Sequence, residues 1–307
     1  MITVDICICT HRRASLNETL VSVAMQDAEG ARIRVIVVDN DDNPGRQAQI
    51  EALGKKLELE LRYIHAPAHN ISVARNACLD TSDGDWIAFI DDDEIAAPNW
   101  LAELLDARIG KDMVFGVAQA IYGPESPKWM KRGDFHSTRM GDRDPDWKGY
   151  SGNVLIDRSF LKSTGLRFDS RLGRTGGEDS LFFYEAMCAG ARSGYAPHAL
   201  VTEFTETPKA SLRWLILRRF RSGQTHELIL RRQGKWFSGA VAAVAKMGWS
   251  TCAAVVSIPW PTKAAHHLLR SALHAGVVAG ALGLSTYSEF NERGTGVRNK
   301  PSLGRTR

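Results

Sequence analysis

Three consecutive carboxylates, Asp91, Asp92 and Asp93, follow the apolar run Trp86-Ile87-Ala88-Phe89-Ile90, with Glu94 directly behind them. Adjacent carboxylates repel one another, and removing them from water without a cation is costly. A hard divalent ion bound through oxygen relieves that repulsion, which makes the cluster a candidate Mg2+ or Mn2+ site. In an extended stretch Asp91 and Asp93 point to the same side and can address one ion together. A blander origin exists: acids are favoured by the dipole ahead of a helix, here one starting near Pro98. Three of them at the end of a buried strand exceed what a helix start requires.

Three further groups carry possible chemistry. Asp39 closes the run Arg34-Val35-Ile36-Val37-Val38 and precedes Asn40, Asp41 and Asp42. A carboxylate there can accept from a base's ring N–H, or simply belong to a solvated turn. In His69-Asn70-Ile71-Ser72-Val73-Ala74-Arg75-Asn76, Ser72 is expected to cap a helix. Arg75 and Asn76 would then face the ligand edge, with Arg75 bridging acids or contacting a donor. Gly176-Gly177-Glu178-Asp179 allows close backbone approach and sets two acids at a helix start. Beside a separate Asp cluster, a general base that takes the proton of an attacking hydroxyl is the stronger reading. No Ser/His or Cys/His pair is placed for covalent catalysis.

These groups need elements to hold them. Residues 2–9 read as a buried strand, and Leu16, Leu20 and Val23 mark one face of a helix. A second strand (34–39), a charged helix (46–57), a third strand (61–64), a helix (71–80) and a fourth strand (85–90) follow. This alternation implies an α/β fold, a mostly parallel sheet with helices on both faces. The polar clusters fall at the carboxyl ends of strands, where open α/β sheets bind ligands. No glycine fingerprint follows the first strand, which argues against a nicotinamide cofactor. Strands at 114–121 and 153–157 flank a loop excursion (122–150), ahead of a helix from Glu178 to about Ala189 and a last strand at 195–204.

The net charge of +4 over 307 residues hides a split. The first 208 residues carry 23 basic and 32 acidic side chains, and the remainder 16 basic against 3 acidic. The basic tail interleaves its charges with Ala/Val/Leu stretches and with Trp214, Trp236, Trp249 and Trp260. That composition suits an anionic membrane surface, and no nucleic-acid-binding motif is present. Residues 212–232 form an amphipathic helix candidate. Residues 239–258 are borderline for spanning, contain Lys246 and end at Pro259 and Pro261, so association in the membrane plane is expected. The run Ala275–Thr286 is too short to span alone. The expected division is a catalytic domain, 1–208, and a helical membrane-associating region, 209–307. Five cysteines without a CxxC pair point to reduced thiols in the cytosol, with Cys7 and Cys9 packed in the core. The chain opens on a strand, with no signal peptide.

The combined pattern resembles the family 2 glycosyltransferases of the GT-A fold. The matching parts are Cys9-Thr10-His11-Arg12, Val37-Val38-Asp39-Asn40, Ala74-Arg75-Asn76, Phe89-Ile90-Asp91-Asp92-Asp93-Glu94 and Gly177-Glu178-Asp179-Ser180, in order across roughly residues 1–205. The stretch from Arg218 to Thr225 is similar to the bacterial exopolysaccharide glucosyltransferases within that family. The Gln-x-x-Arg-Trp motif of the processive synthases is missing. The resemblance implies that Thr10, Arg12 and Asp39 contact the donor, with Asp39 facing a uracil-type base. It places Arg75 in support of the donor site, Asp91 and Asp92 on the donor, and Asp93, with Asp91, on Mg2+ or Mn2+ at the diphosphate. Gly152 and Asn153 would line the sugar pocket. Asp179 would be the general base, oriented by Glu178. The implied reaction is an inverting transfer from a nucleotide sugar, UDP-glucose at family level. Its acceptor would be a lipid-linked saccharide at the cytoplasmic face of the inner membrane. Two alternatives differ in class. A nucleotidyltransferase would carry a glycine-rich loop where Thr10-His11-Arg12-Arg13 has none, and a non-catalytic membrane scaffold would use the acids only as helix caps.

Overall fold

The computed structural model describes residues 1–139 and 149–284. Strand β1 (Ile2–Thr10) is apolar on both faces because both are covered. Val4, Ile6 and Ile8 pack with helix α1 (Leu16–Ala24) on one side, and Cys7 and Cys9 face the other layer as expected. β2 (Ala31–Asp39), α2 (Gln47–Lys56), β3 (Leu61–His65), α3 (Ile71–Thr81) and β4 (Trp86–Ile90) complete the parallel half. Then come β5 (Glu94–Ala96), α4 (Trp100–Asp106), β6 (Met113–Tyr122), α5 (Lys128–Gly133), β7 (Asn153–Asp157), α6 (Arg158–Thr164), α7 (Glu178–Cys188) and β8 (Ser193–Thr205).

The described strands form one sheet in the order β3-β2-β1-β4-β7-β6-β8-β5. The expected parallel pairing holds through the first half and again between β6 and β8, and the sheet as a whole is mixed. β7 runs antiparallel to both β4 and β6, and β5 runs antiparallel to β8. A parallel neighbour needs a crossover, whereas the excursion between β6 and β7 brings the chain straight back beside the strand it left. That excursion is more than a loop. It contains α5, and its Met130 and Phe135 form a third apolar cluster with Leu215, Ala265 and Leu269 of the tail.

The described part of the tail, to residue 284, folds into three helices of 21 residues each: α8 (Leu212–Arg232), α9 (Trp236–Val256) and α10 (Pro261–Ala281). Helices α8 and α10 cross at Gly223 and Gly276, where a Cβ on either would collide with the other helix's backbone. The apolar stretch from Ala275 is therefore the end of a full helix, not a separate short segment, and residues 285–286 of it lie outside the described residues. Lys263, His266, His267 and Arg270 mask the first half of that helix in the sequence. Among the described residues α9 is the one helix long and apolar enough to cross a membrane, and most of it is exposed.

Candidate active site

The carboxyl ends of β1, β2 and β4 meet at one edge of the sheet, because these strands are parallel neighbours. Asp39 ends β2 and is nearly inaccessible, accepting from the Tyr63 hydroxyl at 2.9 Å and from the Asp41 backbone N–H at 3.0 Å. Thr10 ends β1 and donates its hydroxyl to Asp92 at 2.7 Å. Burial pushes the Asp92 carboxyl up to about 7, against the pull of Arg13. Arg12 takes a left-handed backbone conformation and forms a two-pronged pair with Asp41, at 2.7 Å on both prongs. It is mostly exposed and lies on the Asp41 side of the edge.

β4 stops at Ile90, and Asp91, Asp92 and Asp93 turn the chain into β5. The three carboxylates diverge to different partners. Asp93 pairs with Arg13 and with Lys209, whose Nζ lies 3.2 Å away. Burial alone would raise the Asp93 pKa, but those two cations hold it below the ordinary carboxylate range. Asp91 opens to the cleft, 3.7 Å from Arg75. Enclosure by protein, with the charges of Asp93 and Glu203, raises its pKa despite Arg75. Burial and the neighbouring Asp91 push Glu94 still higher. The backbone at Gly152 presses against this array. A Cβ there would sit 2.9 Å from Glu94 Oε1 and 3.1 Å from Asp91 Oδ2, so a larger residue would have to push those carboxylates aside.

Helix α3 and the start of α7 bring in the other charged groups. Asn70, not Ser72, caps α3, accepting from the Val73 N–H, while the Ser72 hydroxyl donates to the Asp169 carbonyl at 2.9 Å. A strand-like backbone one residue before the helix suits a cap, and Asn70 has it. Asn76 turns away from the ligand edge and clamps the Phe168 backbone through both amide atoms. Arg75 is buried, pairs with Glu178 and stands over the Phe168 ring. Burial raises Glu178 to about 7 against that pairing. Asp179, one residue on, is half-buried and lines the cleft together with Arg75, Asp91, Glu94 and Glu203. Among the described residues its side chain accepts only from Ser180.

One expected pocket residue is corrected. Asn153 is fully buried and its amide is spent inside the fold. It accepts from Trp100 Nε1 at 2.8 Å and donates to the Val117 and Ala199 carbonyls. Three hydrogen bonds to core partners leave it no path to a ligand, and Tyr150, Ser151 and Gly152 line the cleft instead.

Several charged groups at the cleft were not singled out by sequence. Arg13 and Lys209 neutralise Asp93, and Glu203 pairs with Lys209. Arg218, from the tail helix α8, lines the same cleft beside His136. His136 is buried, which lowers its pKa, stacks on Trp214 and reaches the Lys209 carbonyl at 3.0 Å. A carbonyl can only accept, so the imidazole carries its proton on Nε2. The acids still outnumber the cations. Asp91, Asp92, Asp93, Glu94, Glu178, Asp179 and Glu203 face Arg13, Arg75, Lys209 and Arg218. This surplus of hard oxygen ligands fits a divalent cation. A different group, His11, Asp41 and His69, brings its ligating atoms within 4.8 Å of one another. Its acid is already held by Arg12.

A sheet with a parallel nucleotide-type half, an acidic turn after its central strand and a helix-borne Asp across the cleft is a GT-A arrangement. The family model described as glycosyl transferase family 2 matches residues 5–165. The succinoglycan biosynthesis protein ExoM of Rhizobium meliloti is 43% identical over 302 residues, 94% of this chain and 96% of that protein. The chain belongs to the family 2 glycosyltransferases. Solved structures support the fold at low identity. The mannosyltransferase PcManGT from Pyrobaculum calidifontis, in complex with GDP-Man and Mn2+, has a TM-score of 0.63 at 16% identity, covering 92% of this chain and 88% of that one. S. aureus TarS 1-349, in complex with UDP, has a TM-score of 0.53 at 16% identity and 92% coverage of both chains. Family membership removes the nucleotidyltransferase and scaffold alternatives.

Proposed function

We propose that this protein is an inverting, metal-dependent hexosyltransferase of exopolysaccharide synthesis. It takes glucose from UDP-glucose and adds it to a lipid-linked saccharide at the cytoplasmic face of the inner membrane. The observation that carries this reading is the excess of carboxylates over cations around one cleft, which Asp91, Glu94, Glu203 and Asp179 line and beside which Asp93 stands between Arg13 and Lys209. Similarity to ExoM, a succinoglycan biosynthesis protein, supports the exopolysaccharide pathway.

Asp39 and Thr10 stand at the nucleoside end of the cleft, and Arg75 holds Glu178 and Asp91 in place beside it. Arg12 and Asp92 complete the donor side, Arg12 by moving from Asp41 to the donor. Asp93 and Asp91 would hold Mn2+ or Mg2+, which stabilises the negative charge on the departing nucleoside diphosphate. Asp179 accepts the proton of the attacking acceptor hydroxyl, and the buried Glu178–Arg75 pair fixes the start of its helix. Residues 1–208 form the catalytic unit. Residues 209–307 place it on an anionic membrane, with the exposed Trp236, Phe237, Val241, Trp249 and Trp260 of the tail at the surface.

A donor screen tests the reading. Purified protein with Mn2+ or Mg2+ should release UDP from UDP-glucose, and chelator or Asp93→Ala should abolish that release. Calorimetry should show UDP binding that depends on metal in the wild type and is lost in Asp93→Ala. Metal-independent UDP binding that survives in Asp93→Ala refutes the ligand assignment.

A further inference from the structure

Away from the catalytic cleft, α9 and α10 lie side by side, joined through Ser257–Trp260. A polar seam runs between them, with Thr251 Oγ1 and Ser271 Oγ 2.8 Å apart. Beside this seam a cavity opens between the helices, lined by Ala245, Lys246, Trp249, Ser250 and Arg270. Ser250 is fully buried, and its hydroxyl has no hydrogen-bond partner among the described residues. Helical serines and threonines commonly return the hydroxyl to the carbonyl four residues back. The adjacent Thr251 does so with Met247 at 2.9 Å, whereas Ser250 does not.

The charges around the cavity are all of one sign. Lys246 is the only charged residue between Trp236 and Val256. Lys246 and Arg270 are exposed, and neither has a carboxylate partner among the described residues. Arg270 stands 6.0 Å from the Trp249 ring, and His267 meets the same ring edge-on. His274, one helical turn past Arg270, also has a buried Nε2 without a partner. An ammonium, a guanidinium and an unused hydroxyl, with no carboxylate among them, suit an oxyanion and exclude a metal cation. The adjacent surface is apolar, with Val241, Val244, Trp249 and Val255 each more than half exposed.

We propose that the groove between α9 and α10 binds the phosphate of an anionic phospholipid, with Lys246 and Arg270 pairing with its oxygens and Ser250 donating to it. The apolar side of α9 and Trp249 lie at the acyl boundary, which a free phosphate would leave uncovered and a lipid covers. The inference rests on the membrane placement proposed above and specifies its contact.

Flotation of the full-length protein tests it with three vesicles: phosphatidylcholine alone, phosphatidylcholine with phosphatidylglycerol, and phosphatidylcholine brought to the same charge with oleate. Wild type should bind the phosphatidylglycerol vesicles best. Lys246→Gln/Arg270→Gln should lose on the order of tenfold or more in that binding, about fivefold per cation near an anionic surface. Arg213→Gln/Lys263→Gln removes the same charge elsewhere on α8 and α10 and should lose less. Ser250→Ala should narrow the preference for phosphatidylglycerol over oleate. Metal-dependent UDP binding, unchanged in each variant, reports that the fold is intact. Equal losses in the two double variants, or equal binding to phosphatidylglycerol and oleate vesicles, overturn this site while leaving membrane association standing. Failure of the wild type to float on any anionic vesicle overturns both. Inhibition of flotation by millimolar inorganic phosphate at constant ionic strength would support phosphate as the recognised group.

Discussion

Lys209 Nζ stands 3.2 Å from Asp93 Oδ2, a contact between residues 116 positions apart. The first residue of the basic tail is thereby a counter-ion of the acidic turn, and it also pairs with Glu203 on β8. Its backbone carbonyl accepts from His136, which ties the root of this side chain to the excursion between β6 and β7. Catalytic sheet, excursion and tail meet at this one side chain.

Replacing Lys209 by Met removes a positive charge from the candidate metal site. Mn2+ affinity measured by calorimetry is expected to rise, roughly tenfold for one partly screened charge a few ångströms away. The melting temperature should fall by several degrees, since Asp93 and Glu203 lose a partner. Unchanged Mn2+ affinity would move the metal away from Asp93.

Asp179→Asn keeps the size of the side chain and removes its basicity. Glycosyl transfer to acceptor should drop by about 10²–10⁴, the usual value of a positioned base. UDP binding should stay within about twofold, because Asp179 is assigned to the acceptor side; the factor is set by the error of a calorimetric Kd, about 0.4 kcal/mol. Transfer at the wild-type rate would remove it from the mechanism.

Arg75→Met strands the buried Glu178 without its cation. Breaking a buried pair by removing one partner costs about 3–5 kcal/mol, so denaturant unfolding should show a loss of that order. Arg75→Met/Glu178→Gln should recover a large part of it. If the double variant is no more stable than the single one, the pair is not what the fold depends on there.

Asp92 supplies a pH signature. In the fold it holds its proton up to about 7, whereas a free aspartate releases it near 3.9. The folded state binds the extra proton between those values, so this contribution is complete below the lower one and is lost as pH rises through the upper. With chelator present, the wild-type melting temperature should fall from pH 5 to pH 8 by more than that of Asp92→Asn, by on the order of 5–10 °C for the roughly 2.7 kcal/mol that two pH units of extra proton binding are worth. Parallel curves for the two proteins would place the Asp92 proton elsewhere.

Much of the fold was legible because its first half follows simple periods. The apolar runs that became β1, β2 and β4 are buried toward their carboxyl ends on both faces, and their short length between polar turns marks them as strands. The return of β7 beside β4 and β6 was not legible, since antiparallel and parallel pairing use the same residue types. Helix α10 escaped because four basic or imidazole side chains interrupt its first half, and only packing against α8 at Gly223 and Gly276 makes it one helix.

The acidic turn, the end of β2, Arg75 and the start of α7 were chosen from the sequence by residue type and by place at the ends of elements, and the fold brings Asp91, Arg75, Glu178 and Asp179 to one cleft. Local chain order determined those positions, because a strand end or a helix start is set by its immediate neighbours. The tertiary structure alone decided the partners. Arg13 and Lys209 reach Asp93 across 80 and 116 residues, and Asn153 sinks among three core groups instead of facing the cleft. Electrostatic pairing and burial depend on distance in space, which a sequence orders only after every layer has packed.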